Sequence, residues 1–313
     1  MDKLNDNYKK TINFIVKHNL VPDANLNTFD WLITHKDKLF KISMLKKSDE
    51  TKKTYLLSIY KLMKELGYEE ESEPFFIESQ KLQKKLIKKY SDNILSNKQI
   101  EEFCDLKTIL KKRDQLGRLF NKNTSNNLLN LQYLLLSLYT YQPPVRNNYS
   151  DVEIISDTSN VEPTKNYLLK QDNKYTFLLN NDKVSNKYGS TKLKFTKKLS
   201  DIINKSIKHF NRKYLFVNSN GQPLSKQNIA SMLENIFPDI KLSITNLRIA
   251  YVCDFYSKNK SVNQKKNLSQ KMRHSHLTAE IYYNKVLKHK LKSIKRLQAN
   301  KKPKNKLIFP RNK

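Results

Sequence analysis

Several residue types and patterns are scarce in this chain, and each scarcity argues against a class of function. Only four glycines occur in 313 residues, so there is no glycine-rich loop to cradle nucleotide phosphates, which argues against an ATPase or a kinase. Cys104 and Cys253 are the only cysteines; they form no metal-binding spacing and indicate small packing residues in a reducing compartment. No apolar run approaches the ~18 residues that a membrane span needs, and the first residues, MDKLNDNYKK, contain no apolar signal-peptide core.

Acidic residues are also scarce. The chain has 60 Lys plus Arg against 29 Asp plus Glu, a formal net charge of +31. An AT-rich genome favours Lys, Asn and Ile codons and explains part of this excess, but it does not explain why acids are so few. A charge of this size predicts a polyanionic partner. If that partner is DNA, each phosphate contacted steepens the salt dependence of binding by roughly 0.9 log units per log unit of salt.

The length allows about two domains, and the first, over residues 1–95, has a helical pattern. Ser48 precedes acidic residues and then apolar residues at helical spacing as far as Gly67, which predicts a capped helix. Lysines take the polar faces, and a solvated face and a DNA-facing surface explain them about equally well. The elements predicted here are helices from residues 27, 48 and 77, the last reaching Tyr90, and a linker over 88–97.

The second predicted domain spans residues 96–290 and is followed by a basic tail, 291–313. A new helix opens at 95–101, and a nearly continuous apolar helix over 128–141 stops at Pro143-Pro144. Helices resume from Ser200, and one of them closes at Phe237-Pro238. Between these helices lie short β-like runs over residues 152–155, 166–169, 175–179 and 192–195. The chain is therefore predicted to be mainly α (α+β), with a small antiparallel sheet.

A set of arginine, histidine and tyrosine residues indicates the chemistry. Arg146 follows the double proline, Arg248 is embedded in an apolar helix start, and His274 precedes Tyr283 by nine residues. A buried cation is costly unless it is paired, and phosphate is a suitable partner. Breaking a phosphodiester without metal requires cations on the non-bridging oxygens, a nucleophile and a proton donor for the leaving oxygen. These residues, with one well-placed lysine, would supply that set.

The residues resemble those of the tyrosine recombinases, also called the phage integrase family. Leu247-Arg248 matches the second arginine motif, His274 and Tyr283 match the last histidine and the nucleophile, and the segment 214–226 matches a connector of the family. The resemblance covers about residues 98–290, and the N-terminal helices more weakly resemble the core-binding domain. The Asn- and Lys-rich composition and the Pro-Pro-Val-Arg sequence are similar to integrases of eukaryotic DNA viruses, virophages or related transposons.

The resemblance implies a role for each residue. Arg146 and Arg248 would hold non-bridging phosphate oxygens, His274 would hydrogen-bond the same phosphate, and Tyr283 would attack it to form a 3′-phosphotyrosyl link. No ATP, metal or other cofactor is implied. Tyr282 competes as the nucleophile; on a helix the two tyrosines point ~100° apart, and the spacing favours Tyr283, with Tyr282 assigned to core packing.

The implied general acid is a lysine on a β-hairpin. Lys183 is the first choice and Lys187 the second, with Lys174 and Lys192 also nearby. A proton from this lysine would go to the leaving 5′ oxygen.

Two positions depart from the family pattern. The family usually has His or Lys three residues before the second arginine, whereas this chain has Thr245, which cannot act as a base near neutral pH. The proton of the tyrosine would then leave to water, or His276 would assist. The residues after Arg146, where the family places acidic or polar support, are Asn147, Asn148 and Tyr149.

The resemblance also implies partners. The expected partner is double-stranded DNA, held in a C-shaped clamp, with a homotetramer synapsing two duplexes. The segment 286–294 would either dock on a neighbouring subunit or bind phosphates as a solvated tail. The expected location is the cytoplasm, or the nucleus or viral factory of a eukaryotic host. Two alternatives remain open: a type IB topoisomerase, which uses similar chemistry as a monomer, and a DNA-binding relic, suggested by Thr245.

Overall fold

The computed structural model describes residues 29–91 and 102–284. The chain forms two compact units that divide between Asp92 and Asn93. Several predicted features lie outside the described residues: the domain boundary at 95/96, the helix at 95–101, the amphipathic segment 286–294 and the basic tail.

The first unit is helical, as its sequence pattern predicts. Ser48 caps the third helix, with its Oγ accepting a hydrogen bond from the backbone N–H of Thr51 at 3.1 Å. Gly67 follows that helix with φ +89, a left-handed conformation that glycine adopts without steric cost. The described helices are α1 (Trp31–Thr34), α2 (Lys36–Met44), α3 (Asp49–Glu65) and α4 (Glu69–Ser91).

Helix α4 is longer than predicted at its N-terminal end. It begins at Glu69 rather than near Ile77 and continues to Ser91, so the predicted linker is wrong over 88–91. Three glutamates in its first turn complement the positive end of the helix dipole, and the helix accommodates Pro74 inside it. Helices α3 and α4 pack against each other. The core of this unit consists of Trp31, Leu32, Leu39, Leu56, Ile59, Leu62, Met63, Phe75 and Leu82.

The second unit is built around one apolar helix. Helix α6, which ends as predicted before Pro143-Pro144, packs against α5, α8 and α9 and supplies much of the core. The helices of this unit are α5 (Leu106–Lys122), α6 (Asn127–Thr140), α7 (Ser185–Tyr188), α8 (Lys197–His209), α9 (Lys226–Ile236), α10 (Ile244–Tyr256), α11 (Val262–Lys271) and α12 (His276–Thr278).

Four short strands form one sheet in the order β1-β2-β3-β4. The pairs β2–β3 and β3–β4 are antiparallel, but β1 pairs with β2 in parallel, so the prediction of an antiparallel sheet is wrong for that pair. The connection 156–166 returns the chain to the end of the sheet where β1 began, so β2 runs in the same direction as β1. A tight hairpin would have made the two strands antiparallel. The strands are β1 (Glu153–Ile155), β2 (Tyr167–Gln171), β3 (Lys174–Leu179) and β4 (Thr191–Lys194).

The described chain is mainly helical with a small sheet, so the predicted α (α+β) class is confirmed. None of the described helices combines the length and the apolar character that a bilayer crossing requires. The predicted end of a helix at Phe237 is confirmed, whereas α8 begins at Lys197, three residues before the predicted Ser200.

The C-terminal part of the second unit has a smaller core of its own. Helix α10 packs against a π-helical turn, Ala279–Tyr283, that follows α12. Tyr283 lies in this core, next to residues of α10 and α11. This packing brings the end of the described chain back to the helix that carries Arg248.

Candidate active site

Arg248 lies at the centre of the site. Its side chain is only 1% exposed on α10. Its Nη1 donates to the carbonyl oxygen of Pro144 at 2.7 Å, and its Nη2 donates to the carbonyl oxygen of Met272 at 3.1 Å. Its Nε donates to the phenolic oxygen of Tyr283 at 3.3 Å. Burial lowers the pKa of Arg248, and the neighbouring phenol of Tyr283 acts in the opposite direction. An arginine side chain stays protonated in proteins.

Two hydrogen bonds hold Arg146, one made by its side chain and one by its backbone carbonyl. It follows α6 and the double proline, and its Nη1 donates to the carbonyl oxygen of Arg273 at 2.9 Å. Its own carbonyl oxygen accepts from the hydroxyl of Tyr139 at 3.0 Å, which ties the loop to α6. The side chain is half-buried. Support for this arginine therefore comes from a tyrosine and a carbonyl group, where the resemblance suggested acidic or polar neighbours.

His274 lies in the turn between α11 and α12 and is buried. Its Nδ1 is 3.1 Å from the carbonyl oxygen of Ser275. Because a carbonyl oxygen can only accept, Nδ1 carries the proton, and Nε2 of the neutral ring is an acceptor. Nε2 is buried, and none of the described residues gives it a hydrogen-bond partner. Burial lowers the pKa of His274 to about 4, and the charges of Arg248 and Arg146 act in the same direction.

Tyr283 and Tyr282 have opposite environments. Tyr283 is 9% exposed and its ring stacks on that of His274, with centroids 5.1 Å apart and planes at 28°. Tyr282 is 42% exposed, so its assignment to core packing is wrong. The two residues end a π-helical turn, not an α-helix, in which the N–H of Asn284 reaches back to the carbonyl oxygen of Ala279 at 2.9 Å. Such turns recur at functional sites.

The predicted lysines lie on the segment between β3 and β4. Lys183 and Lys187 are both exposed, the first in a turn after β3 and the second in α7. Lys183 directly follows Asp182, whose carboxylate binds Arg273. The structure thus brings Arg146, Arg248, His274 and Tyr283 together. Lys183 is connected to this group through Asp182, which precedes it in the chain and binds Arg273.

Arg273 was not predicted as part of the site. Its side chain is buried and forms an ion pair with Asp182, with 3.0 Å between Nε and Oδ2. Its carbonyl oxygen accepts from Arg146. The sequence separates Arg273 from Asp182 by 91 residues, and no motif in a single sequence links residues so far apart.

Thr245 and His276, the two positions considered for accepting the proton of Tyr283, have different surroundings. Thr245 is exposed near the start of α10. His276 is the first residue of α12, and its Nε2 lies 3.8 Å from a carboxylate oxygen of Glu280. Neither arrangement identifies a base for Tyr283.

The electrostatics of the site favour an anion. Within residues 29–91 and 102–284, no carboxylate forms an ion pair with Arg146 or Arg248, whereas Arg273 is neutralised by Asp182. Neutral carbonyl groups orient both unneutralised guanidinium groups, and the guanidinium of Arg248 also donates to the hydroxyl of Tyr283. A planar guanidinium matches the oxygens of a phosphate. In the same part of the chain, no group of three or more His, Cys, Asp or Glu residues could hold a metal ion.

No family model matches the chain, and no curated protein matches it. Among solved structures, the crystal structure of XerA recombinase is similar, with a TM-score of 0.40 and 11% sequence identity, over 94% of this chain and 98% of that chain. Likeness at this level carries no functional argument, so the function has to be inferred from the residues of the site.

Proposed function

We propose that this protein is a tyrosine recombinase that cleaves and rejoins DNA strands. One observation carries the proposal. Among the described residues, Arg146 and Arg248 have no carboxylate partner, and Arg248 donates directly to the phenolic oxygen of the buried Tyr283. The net charge of +31 supports a polyanionic substrate. The resemblance of the motifs to the phage integrase family supports DNA as that substrate.

In the proposed reaction, the scissile phosphate binds between Arg146 and Arg248. The phenolic oxygen of Tyr283 forms a bond to phosphorus, and the bond from phosphorus to the 5′ oxygen breaks. Arg248 stabilises the negative charge that develops on the phenolic oxygen and on the phosphate. Thr245 cannot accept the phenolic proton, so this proton passes to water or leaves with the assistance of His276. The products are a 3′-phosphotyrosyl link and a free 5′ hydroxyl.

Lys183 is proposed to donate the proton that the leaving 5′ oxygen takes up. In the second half of the reaction, a 5′ hydroxyl from a partner strand attacks the phosphotyrosyl link and restores Tyr283. Because the link conserves the energy of the phosphodiester bond, rejoining needs no ATP. Exchange between two duplexes is proposed to take place in a homotetramer on double-stranded DNA.

His274 is proposed to contact the phosphate through Nε2, a buried atom that lacks a hydrogen-bond partner within residues 29–91 and 102–284. The anionic phosphate accepts hydrogen bonds and cannot donate them, so this contact requires a proton on Nε2. The charge of a bound phosphodiester offsets that of the two arginines, which favours the protonated ring.

Covalent trapping tests the proposal. The protein is mixed with supercoiled plasmid carrying DNA that flanks its own gene, and with a nicked duplex of the same sequence, in the presence of EDTA. Detergent-resistant protein–DNA adducts are then measured for the wild type, Tyr283→Phe and the matched control Tyr282→Phe.

We expect adducts with the wild type and with Tyr282→Phe, and none with Tyr283→Phe. Cleavage restricted to particular sites would favour the recombinase, whereas relaxation at many sites by a monomer would indicate a type IB topoisomerase. DNA binding without any adduct, even on the nicked duplex, would overturn the proposal in favour of a DNA-binding relic.

A further inference from the structure

Arg273 adopts a backbone conformation that is uncommon for an arginine. Its φ is +59, in the left-handed region that glycine occupies without steric cost. The side chain is buried and extends to a second element of the unit, where it makes three hydrogen bonds. Its Nε and Nη2 donate to the two carboxylate oxygens of Asp182 at 3.0 and 3.3 Å, and Nη2 also donates to the carbonyl oxygen of Gly189 at 2.6 Å.

These contacts hold both ends of one segment. Asp182 begins the segment 182–189 and Gly189 ends it, and Lys183 and Lys187 lie between them. The same carboxylate organises the start of the segment, because its Oδ1 accepts from the N–H of Val184 at 2.9 Å. One guanidinium group therefore closes the loop that carries both candidate general acids.

The backbone of Arg273 connects this loop to the arginines of the site. Its carbonyl oxygen accepts from Nη1 of Arg146 at 2.9 Å, and the next residue is His274. The carbonyl of the preceding residue, Met272, accepts from Arg248 at 3.1 Å. Any displacement of the turn at 272–274 would move the phosphate-binding groups and the lysine loop together.

The ion pair is more than a surface contact. The side chains of Arg273 and Asp182 are 8% and 2% exposed, so both charges have lost most of their hydration. The bidentate geometry restricts the orientation of both groups. By contrast, the pair Lys197–Asp201 on α8 is exposed and lies within one helix, which makes it a suitable control.

We propose that Arg273 and Asp182 are positioning residues for the general acid: their ion pair holds the 182–189 loop so that its lysine reaches the leaving 5′ oxygen. This inference rests on the proposed function. It assigns no contact with DNA to either residue. Their effect on the reaction is exerted through Lys183 or Lys187.

A sulfur-substituted substrate separates this role from a general structural one. In a nicked duplex with sulfur in place of the bridging 5′ oxygen, the leaving group is a thiolate, which departs without protonation because its conjugate acid is much stronger than an alcohol. Loss of general-acid catalysis should therefore slow cleavage of the oxygen substrate and leave cleavage of the sulfur substrate nearly unchanged.

The variants are Asp182→Asn, which keeps the shape of the side chain, Arg273→Gly, which keeps the backbone conformation, and Lys183→Ala and Lys187→Ala. Asp201→Asn is the control. General-acid catalysis contributes ~10²–10⁴-fold. We expect Asp182→Asn and Arg273→Gly to slow cleavage of the oxygen substrate at least tenfold. On the sulfur substrate, both variants should cleave at nearly the wild-type rate. One of the two lysine variants should show the same pattern.

The ratio of the two rates is independent of the fraction of folded enzyme, so partial unfolding of a variant does not obscure the result. Equal slowing on both substrates, or no slowing on either, would overturn the positioning role. If the wild type forms no adduct with either substrate, the proposed function is wrong, and the positioning role that rests on it is wrong as well. An adduct from the wild type together with equal slowing would refute the inference alone.

Discussion

Acidification is expected to destabilise the second unit through His274. The ring is buried beside the positive charges of Arg248 and Arg146, and its Nδ1 is bound to a carbonyl oxygen. A proton on Nε2 would add a third positive charge to this site, and no acceptor in the described part of the chain stabilises it. The folded chain therefore resists protonation that the unfolded chain accepts.

The magnitude follows from the two pKa values. The pKa of His274 falls from an ordinary 6.5 to about 4 on folding. Between these values the unfolded state binds more protons, so stability rises with pH. The contribution is fully present above pH 6.5 and is lost as the pH falls to about 4. At about 1.36 kcal/mol per pKa unit, the loss is ~3 kcal/mol.

Chemical denaturation of the DNA-free protein between pH 7.5 and 4, at constant salt, measures this effect. The comparison is between wild type and His274→Gln, which removes the titrating group, with His209→Gln, at an exposed histidine of the same unit, as the control. Circular dichroism follows both units, and the fluorescence of Trp31, the single tryptophan, follows the first unit.

The wild type and His209→Gln should lose ~3 kcal/mol more than His274→Gln over this range, while the Trp31 transition stays the same in all three. Equal losses in wild type and His274→Gln would refute the placement of a neutral histidine beside two arginines.

Three further predictions follow from the same unit. Arg248→Met leaves two carbonyl groups without their donor. At roughly 1–3 kcal/mol per unsatisfied group, it should destabilise the second unit by about 2–6 kcal/mol in chemical denaturation. No loss of stability would contradict these contacts. Thr245→His supplies a base at the position where the resemblance places one, and should speed single-turnover cleavage near pH 7.5 by about tenfold or more, whereas Thr245→Val should not. Cys104 and Cys253 are buried and burial raises the pKa of Cys104 to about 11, so neither thiol should react with a thiol reagent at pH 8 until the protein unfolds; rapid reaction of the native protein would contradict their burial.

The helices that the sequence predicts well are those with local signals. Ser48, Gly67 and the double proline mark helix ends by side-chain chemistry that acts within a few residues, and the structure confirms each of them. The early start of α4 was missed because Pro74 interrupts the pattern, although the glutamates of the first turn stabilise that end. The parallel pairing of β1 with β2 depends on the path of a connection, which strand periodicity does not specify.

In the site too, features with a local sequence signal are predicted and features that depend on distant contacts are not. An arginine embedded in apolar sequence indicates burial near an anion, and Arg248 is buried as that pattern predicts. Tyr282 is exposed, not packed in the core as predicted, and the π-helical turn that carries both tyrosines is not visible in a sequence read at α-helical spacing. The ion pair of Asp182 with Arg273 joins distant parts of the chain and has no local signal at all. The catalytic roles of Arg146, Lys183, Arg248, His274 and Tyr283 all stay predictions.

The most direct test of the proposed chemistry is to identify the residue that becomes bound to DNA. The wild-type protein is trapped on a nicked duplex in EDTA, the complex is digested with protease and nuclease, and the peptide carrying a nucleotide is sequenced by mass spectrometry. A single peptide with a 3′-linked nucleotide on Tyr283 is the predicted result. A nucleotide on Tyr282 or on a serine, or cleaved DNA with no attached peptide, would contradict the assignment of Tyr283 as the nucleophile.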